Sequence, residues 1–234
     1  MYAQNNHFVR SCPYLLSSLS RAHLDWMTFW KFHSALLIAL SVQGASAQTN
    51  ILEDQSSILT SLQNGGYVLY LRHTETEKDW ADQASPKLDL SDCTTQRKLS
   101  DRGISQATQI GDSIETLQIP IKNVVSSDYC RAKDTASYAF SRYTIDSRLN
   151  FLPCEVCSDL QSATYALRVR PLLSTIPPAG TNTVLVGHDD PFEAATGIYP
   201  EPMGVTYIIQ PQGSGRFEVK AFINPDDWQK LNLK

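Results

Sequence analysis

From about residue 51 the chain alternates two kinds of hydrophobic pattern. Ile51 to Leu62 carries its apolar positions at helical spacing. After Gly65-Gly66 comes an unbroken apolar and aromatic run, Tyr67-Val68-Leu69-Tyr70-Leu71, with the length and composition of a buried strand. Ser100 or Asp101 is placed to cap a helix reaching about Leu117. Val124-Val125-Ser126-Ser127 reads as a second strand, followed by helices over Tyr129 to Phe140 and Leu160 to Leu173. A third strand covers Thr183 to Gly187. Val205 to Gln210 and Phe217 to Phe222 then form a hairpin around Gln212-Gly213-Ser214-Gly215. Strands alternating with helices predict an α/β fold, a three-layer α/β/α sandwich with a largely parallel central sheet.

The front of the chain has a different pattern. From Met27 a short region with one Lys leads through Ala35-Leu36-Leu37-Ile38-Ala39-Leu40 into Gly44-Ala45-Ser46-Ala47. A basic start, a short apolar core and a small-x-small ending make a secretory signal peptide, with cleavage after Ala47. The core is too short to span a bilayer, so no stable membrane anchor is expected. Residues 1–26 have no sustained period. Translation beginning at Met27 would place the signal at the amino terminus, and a long signal with an extended leader is the alternative. Residues 48–234 then form a single domain, and the mature protein is periplasmic or secreted.

Composition agrees with one globular domain, at 42% hydrophobic and 19% charged. The net charge of −4 and the lack of a Lys/Arg run argue against nucleic acid as a partner. Four of the five cysteines, Cys93, Cys130, Cys154 and Cys157, lie in the mature part. An even number in an exported chain reads as structural disulfides, with connectivity open. A bridge at Cys130 would brace Arg131 beside it. Cys154-Glu155-Val156-Cys157 lacks a matching second pair and a nearby His, so no metal site is expected. No cofactor is called for.

The candidate chemistry lies where the strands stop. The first ends in Arg72-His73, the second leads into Asp128-Tyr129-Cys130-Arg131, and the third ends in Gly187-His188. In an open α/β sheet the ligand crevice lies outside the carboxyl ends of the strands, so these residues would converge there on exposed strand ends. Two guanidinium groups and two imidazoles suit a phosphate ester. The planar, permanent cations neutralise the phosphoryl oxygens, one neutral imidazole attacks phosphorus, and the second hydrogen-bonds the oxygens.

These residues resemble the histidine phosphatase superfamily, which includes phosphoglycerate mutases and many phosphatases. The matches are Arg72-His73-Thr74, Leu99-Ser100-x-x-Gly103-x-x-Gln106-Ala107, Ser127-x-x-x-Arg131-Ala132-x-x-Thr135-Ala136 and Gly187-His188, in the family's order from about residue 66 to 190. The resemblance implies an exported, bacterial-type member with a phosphoglycerate mutase-like fold. It implies that His73 is the nucleophile, that Arg72 and Arg131 clamp the phosphoryl group, and that His188 completes the pocket. Two positions depart from the pattern. Thr74 replaces the usual Gly and offers a hydroxyl to phosphate, and Asp79 stands where a phosphate-contacting Asn is common. For the proton donor the resemblance leaves two candidates, Glu155 and Asp189. Arg97 is a candidate for a second anionic group of the substrate.

The function expected is a phosphomonoesterase acting on a small phosphorylated substrate. A non-catalytic phosphate- or phosphosugar-binding homologue and a phosphoglycerate-type mutase are the alternatives. The substrate's identity and the oligomeric state stay open at this level.

Overall fold

In chain order the elements are α1 (Gln55–Asn64), β1 (Val68–Arg72), α2 (Asp101–Thr116), β2 (Ile121–Ser126), α3 (Cys130–Phe140), β3 (Thr144–Ile145), α4 (Asp159–Leu173), β4 (Asn182–Gly187), α5 (Asp189–Thr196), β5 (Thr206–Gly213) and β6 (Arg216–Ile223). Short 3-10 turns follow at Cys93–Thr95, Ser147–Leu149 and Pro225–Leu233. The computed structural model describes residues 55–77, 88–151 and 158–233. The leader and signal segment expected over residues 1–47 lie outside the described residues, as do Asp79, Cys154, Glu155 and Cys157. Among the described residues no helix is long and apolar enough to cross a membrane.

The six strands form one sheet in the order β3-β2-β4-β1-β5-β6. The first four run parallel, and β5 and β6 add two antiparallel neighbours on one side. Alternation along β1 divides its side chains between two cores, as the period of two in a strand requires. Leu69 and Leu71 pack with Ile110 and Ile114 of α2, Ala132 and Ala136 of α3 and Trp228 of the last 3-10 turn. Val68 and Tyr70 pack on the opposite face with Val169 and Leu173 of α4 and Phe192 of α5. The result is the expected three-layer α/β/α sandwich.

The helix ends follow the sequence signals. Ser100 caps α2 by accepting from the Gly103 N–H at 3.1 Å, and Ser158 and Gln161 form a reciprocal capping box on α4. Gly103 has a second reason to be glycine, since a Cβ there would stand 1.9 Å from the Glu75 carbonyl oxygen. The missing side chain lets α2 lie against the loop leaving β1.

Three elements differ from the sequence pattern. β2 begins at Ile121, three residues earlier than expected, because Lys122 and Asn123 are exposed and break the apolar run. β3 is a two-residue edge strand, both residues exposed, with no hydrophobic signature to mark it. Residues 189–196, where the sequence pattern predicted no element, form α5, with Pro191 tolerated in the first turn where its missing N–H costs no helical bond.

Candidate active site

The order of the strands places β2, β4 and β1 side by side, so the three signature segments end together. The register pairs Arg72 with Gly187 and Ser126 with Val186. Just past these ends the His73 N–H donates to the Gly187 carbonyl at 2.9 Å, and the Ser127 N–H donates to Val186 at 3.0 Å. Arg72, His73, Arg131 and His188 are thereby brought together, with the two imidazole centroids 5.3 Å apart. They do not stand on exposed ends as expected. His73 is 1% exposed, and His188 and Arg131 are buried too. Pro200, Glu201 and Gly204, beyond α5, close over Arg72 and His73, and the Tyr129 and Phe151 rings pack against His188 and Arg131.

The bonding of His73 fixes its reactive atom. Its Nδ1 lies 2.9 Å from the Thr74 carbonyl oxygen, which can only accept, so Nδ1 carries the proton. Nε2 then holds the free lone pair. Burial, followed by the Arg131 and Arg72 cations, pushes this imidazole well below its ordinary 6.5, against the opposing bond to Thr74. A neutral ring with its lone pair on Nε2 is the form a nucleophile needs.

Arg131 stands 2% exposed, its guanidinium over the Tyr129 ring at 4.7 Å and 5.8 Å from the Phe151 ring centre. Aromatic faces offset part of the cost of burying a permanent cation. Arg72 is held by three acceptors. Its Nη1 donates to the Pro200 carbonyl and to Glu201 Oε2, each at 2.7 Å, and its Nη2 donates to Asp189 Oδ2 at 2.7 Å. Asp189, one of the two donor candidates, also accepts from the Tyr199 hydroxyl at 3.0 Å. Its carboxylate is thus engaged in holding Arg72. Asp190 beside it is pushed up to about 6 by burial and by the neighbouring Asp189 and Glu193, with Arg72 opposing. Arg97, half-buried, contributes charge to both imidazoles.

Thr74 does something other than expected. The Thr135 hydroxyl donates to the Arg131 carbonyl at 2.8 Å and accepts from the Thr74 N–H at 3.1 Å. With its one proton spent, Thr135 can only accept at the 3.1 Å contact with the Thr74 hydroxyl. The Thr74 proton is therefore directed to Thr135. The side chain bolts the His73 turn to α3.

Several contributors were not singled out by the sequence pattern. Tyr70 is buried in β1, yet its hydroxyl donates to the His188 carbonyl at 2.8 Å and accepts from the His188 N–H at 3.0 Å. Gly187 leaves room for it, since a Cβ there would meet that hydroxyl at 2.3 Å. Ser127, Asn150 and Asp128 form a chain leading from His188 Nε2. Tyr70 read as core from its apolar run, and Asn150 follows a 3-10 turn outside every motif. Only the position of Tyr70, two residues before Arg72 on the same strand, hinted that it faces the site.

The segment that carries Arg131 is braced covalently. Cys93 and Cys130 form a disulfide across 37 residues of sequence, joining the Arg97 loop to the residue before Arg131. The Gln96 side chain adds to this by accepting from the Cys130 N–H at 2.8 Å. Closing a loop of this length stabilises a fold by up to about 4 kcal/mol in the chain-entropy picture. Cys93→Ser, at an exposed position, is expected to lower the unfolding free energy by a few kcal/mol, at most about 4. Denaturant midpoints for parent and variant measure it. An unchanged midpoint would mean that the bridge contributes nothing to the fold.

Residues 68–161 match the histidine phosphatase superfamily (branch 1). No curated protein matches the chain in sequence. Among solved structures, the chain is similar to the protein histidine phosphatase SixA complexed with tungstate, at 15% identity over 72% of this chain and 99% of that one, TM-score 0.47. A mycobacterial glucosyl-3-phosphoglycerate phosphatase is 17% identical over 67% of this chain and 99% of its own, TM-score 0.47. A phosphoserine phosphatase mutant from Entamoeba histolytica, in complex with phosphoserine, is 14% identical over 67% and 95%, TM-score 0.48.

Proposed function

Because residues 68–161 belong to the histidine phosphatase superfamily, we propose that the protein is a phosphomonoesterase that works through a phosphohistidine on His73. The observation that carries this reading is the bond from His73 Nδ1–H to the Thr74 carbonyl, which leaves Nε2 bare among arginines. In the first step the Nε2 lone pair forms the bond to phosphorus as the ester oxygen departs with a proton from an acid. In the second step the carboxylate left by that acid takes a proton from water as the water oxygen attacks phosphorus, the N–P bond breaks, phosphate leaves, and both the imidazole and the acid are restored. Arg72, Arg131 and His188 hold the phosphoryl oxygens, and Arg97 faces a further anionic part of the substrate. The substrate is a small phosphorylated molecule. Turnover of an aryl phosphate with release of inorganic phosphate tests the reading. Binding without turnover would favour a phosphate-binding homologue, and an isomerised product a mutase.

The acid is Glu155 in this proposal, because Asp189 is occupied by Arg72 and Tyr199. Loss of a proton donor hurts an ester with a poor leaving group most, since an aryl oxide departs with little help. Glu155→Gln is expected to slow an alkyl phosphate far more than an aryl phosphate. Asp189→Asn is expected to slow both alike by loosening Arg72. A loss confined to the alkyl ester in Asp189→Asn, or in Asp190→Asn, would move the role to that residue.

The protein acts outside the cytoplasm in this proposal, in the periplasm or as a secreted enzyme. The signal-like sequence from Met27 to Ala47 and the Cys93–Cys130 disulfide support that placement, because disulfides persist in oxidising compartments.

A further inference from the structure

The bonds around His188 form a directed chain. The Asn150 amide has its orientation set by Asp128. Its Oδ1 accepts the Asp128 backbone N–H at 2.8 Å, and its Nδ2 donates to Asp128 Oδ2 at 2.8 Å. A flipped amide would set donor against donor and acceptor against acceptor. Asn150 therefore presents an oxygen to Ser127, whose hydroxyl donates to it at 3.1 Å. That hydroxyl also accepts the Tyr129 N–H at 3.2 Å, which leaves one lone pair. The remaining contact of Ser127 Oγ is His188 Nε2 at 2.8 Å. With the hydroxyl proton spent on Asn150, Nε2 must be the donor.

The consequence falls on the other ring nitrogen. In the neutral ring Nδ1 is then a bare acceptor, and it is buried with no hydrogen-bond partner among the described residues. An oxyanion cannot bond a bare lone pair. It can bond Nδ1 once that atom is protonated, and the Ser127 acceptor then holds an imidazolium rather than a neutral ring.

We propose that His188 takes up one proton from solvent when a tetrahedral dianion enters the pocket, with Ser127, Asn150 and Asp128 as positioning residues that hold its Nε2–H. This rests on the reading of the pocket as a phosphoryl site. The proton adds to Nδ1, no other bond breaks, and the new N–H points its charge at the oxyanion. The cations around the ring are Arg72, Arg97 and Arg131, its other imidazole neighbour is His73, and the nearby carboxylates are Asp128, Asp189 and Asp190. Burial, and then Arg131, His73, Arg72 and Arg97, keep the ring neutral in the free protein. A dianion offsets those cations and reverses the balance. The phosphoryl pocket thus gains a positive charge on loading, where charge develops in the transition state.

Sulfate is the probe, because it stays fully ionised near neutral pH and any proton taken up belongs to the protein. Calorimetric titration in buffers of differing ionisation enthalpy, at about pH 7, is expected to show uptake of about one proton per sulfate. His188→Asn should abolish the uptake, and His73→Asn should retain it. Asn150→Ala should reduce it and weaken sulfate binding about tenfold, the usual effect of taking support from a charged donor. Nitrogen-15 spectra of the parent's imidazoles, with and without sulfate, report the protonation of His188 without any substitution. Sulfate binding with no uptake, or with uptake that survives His188→Asn, overturns the proposal and leaves the phosphoryl reading standing. No sulfate binding at all overturns that reading, and this proposal with it.

Discussion

His73→Ala is expected to lower turnover of an aryl phosphate by at least about ten-thousandfold, the scale seen when a covalent nucleophile is removed. Labelled substrate should leave an acid-labile, base-stable phosphoprotein in the parent and none in the variant. The pH profile carries a second signature. Attack requires the neutral imidazole, and burial with Arg131 and Arg72 holds His73 well below 6.5. The nucleophile is therefore still competent at pH values where an ordinary histidine is largely protonated, and activity is lost only as pH falls through the lowered value. The acid limb of kcat/KM for the free enzyme should lie below pH 6.5. Hydrolysis undiminished by the substitution would sink the mechanism.

Arg131→Lys keeps a positive charge but discards the planar fork, and the structure adds a reason for the change to be severe. The guanidinium carbon lies over the Tyr129 ring, 4.7 Å from its centre, in a slot that leaves the residue 2% exposed. A lysine there loses both the planar group over the ring and the paired donors, and a buried ammonium sheds its proton readily. Removing donors that meet the transition state costs about 3 kcal/mol, or roughly a hundredfold in kcat. The loss should deepen as pH rises and the ammonium deprotonates, which a change in folding alone would not produce. A variant within about twofold of the parent would mean that Arg131 does not hold the phosphoryl group.

Both expectations depend on features of unequal visibility. The three strand ends were legible because each joins an apolar run, which shows in the pattern, to a polar signature that packing alone does not demand. The chain of Ser127, Asn150 and Asp128 was not legible, although Ser127 belongs to a quoted motif. Asn150 lies 23 residues from Ser127 in sequence, and its amide gains its role only from what it faces. Thr74 shows the same limit from the other side. Its hydroxyl suggested a phosphate contact, but Thr135, 61 residues away, receives the proton.

The sequence by itself determined the alternation of strands and helices, the capped start of α2, the hairpin of β5 and β6, and the identity of the residues delivered to the strand ends. These depend on local periodicity, side-chain capping and turn chemistry, all encoded within a few neighbouring residues. The tertiary structure alone decided that β1, β2 and β4 lie side by side, that residues 189–196 coil into α5, and that Arg72 is held by Asp189 and Glu201, 117 and 129 residues away. It also decided which nitrogen of His73 is free. Hydrogen-bond partners are set by the packing of distant segments, and a polar side chain carries no sequence mark of which donor or acceptor will face it.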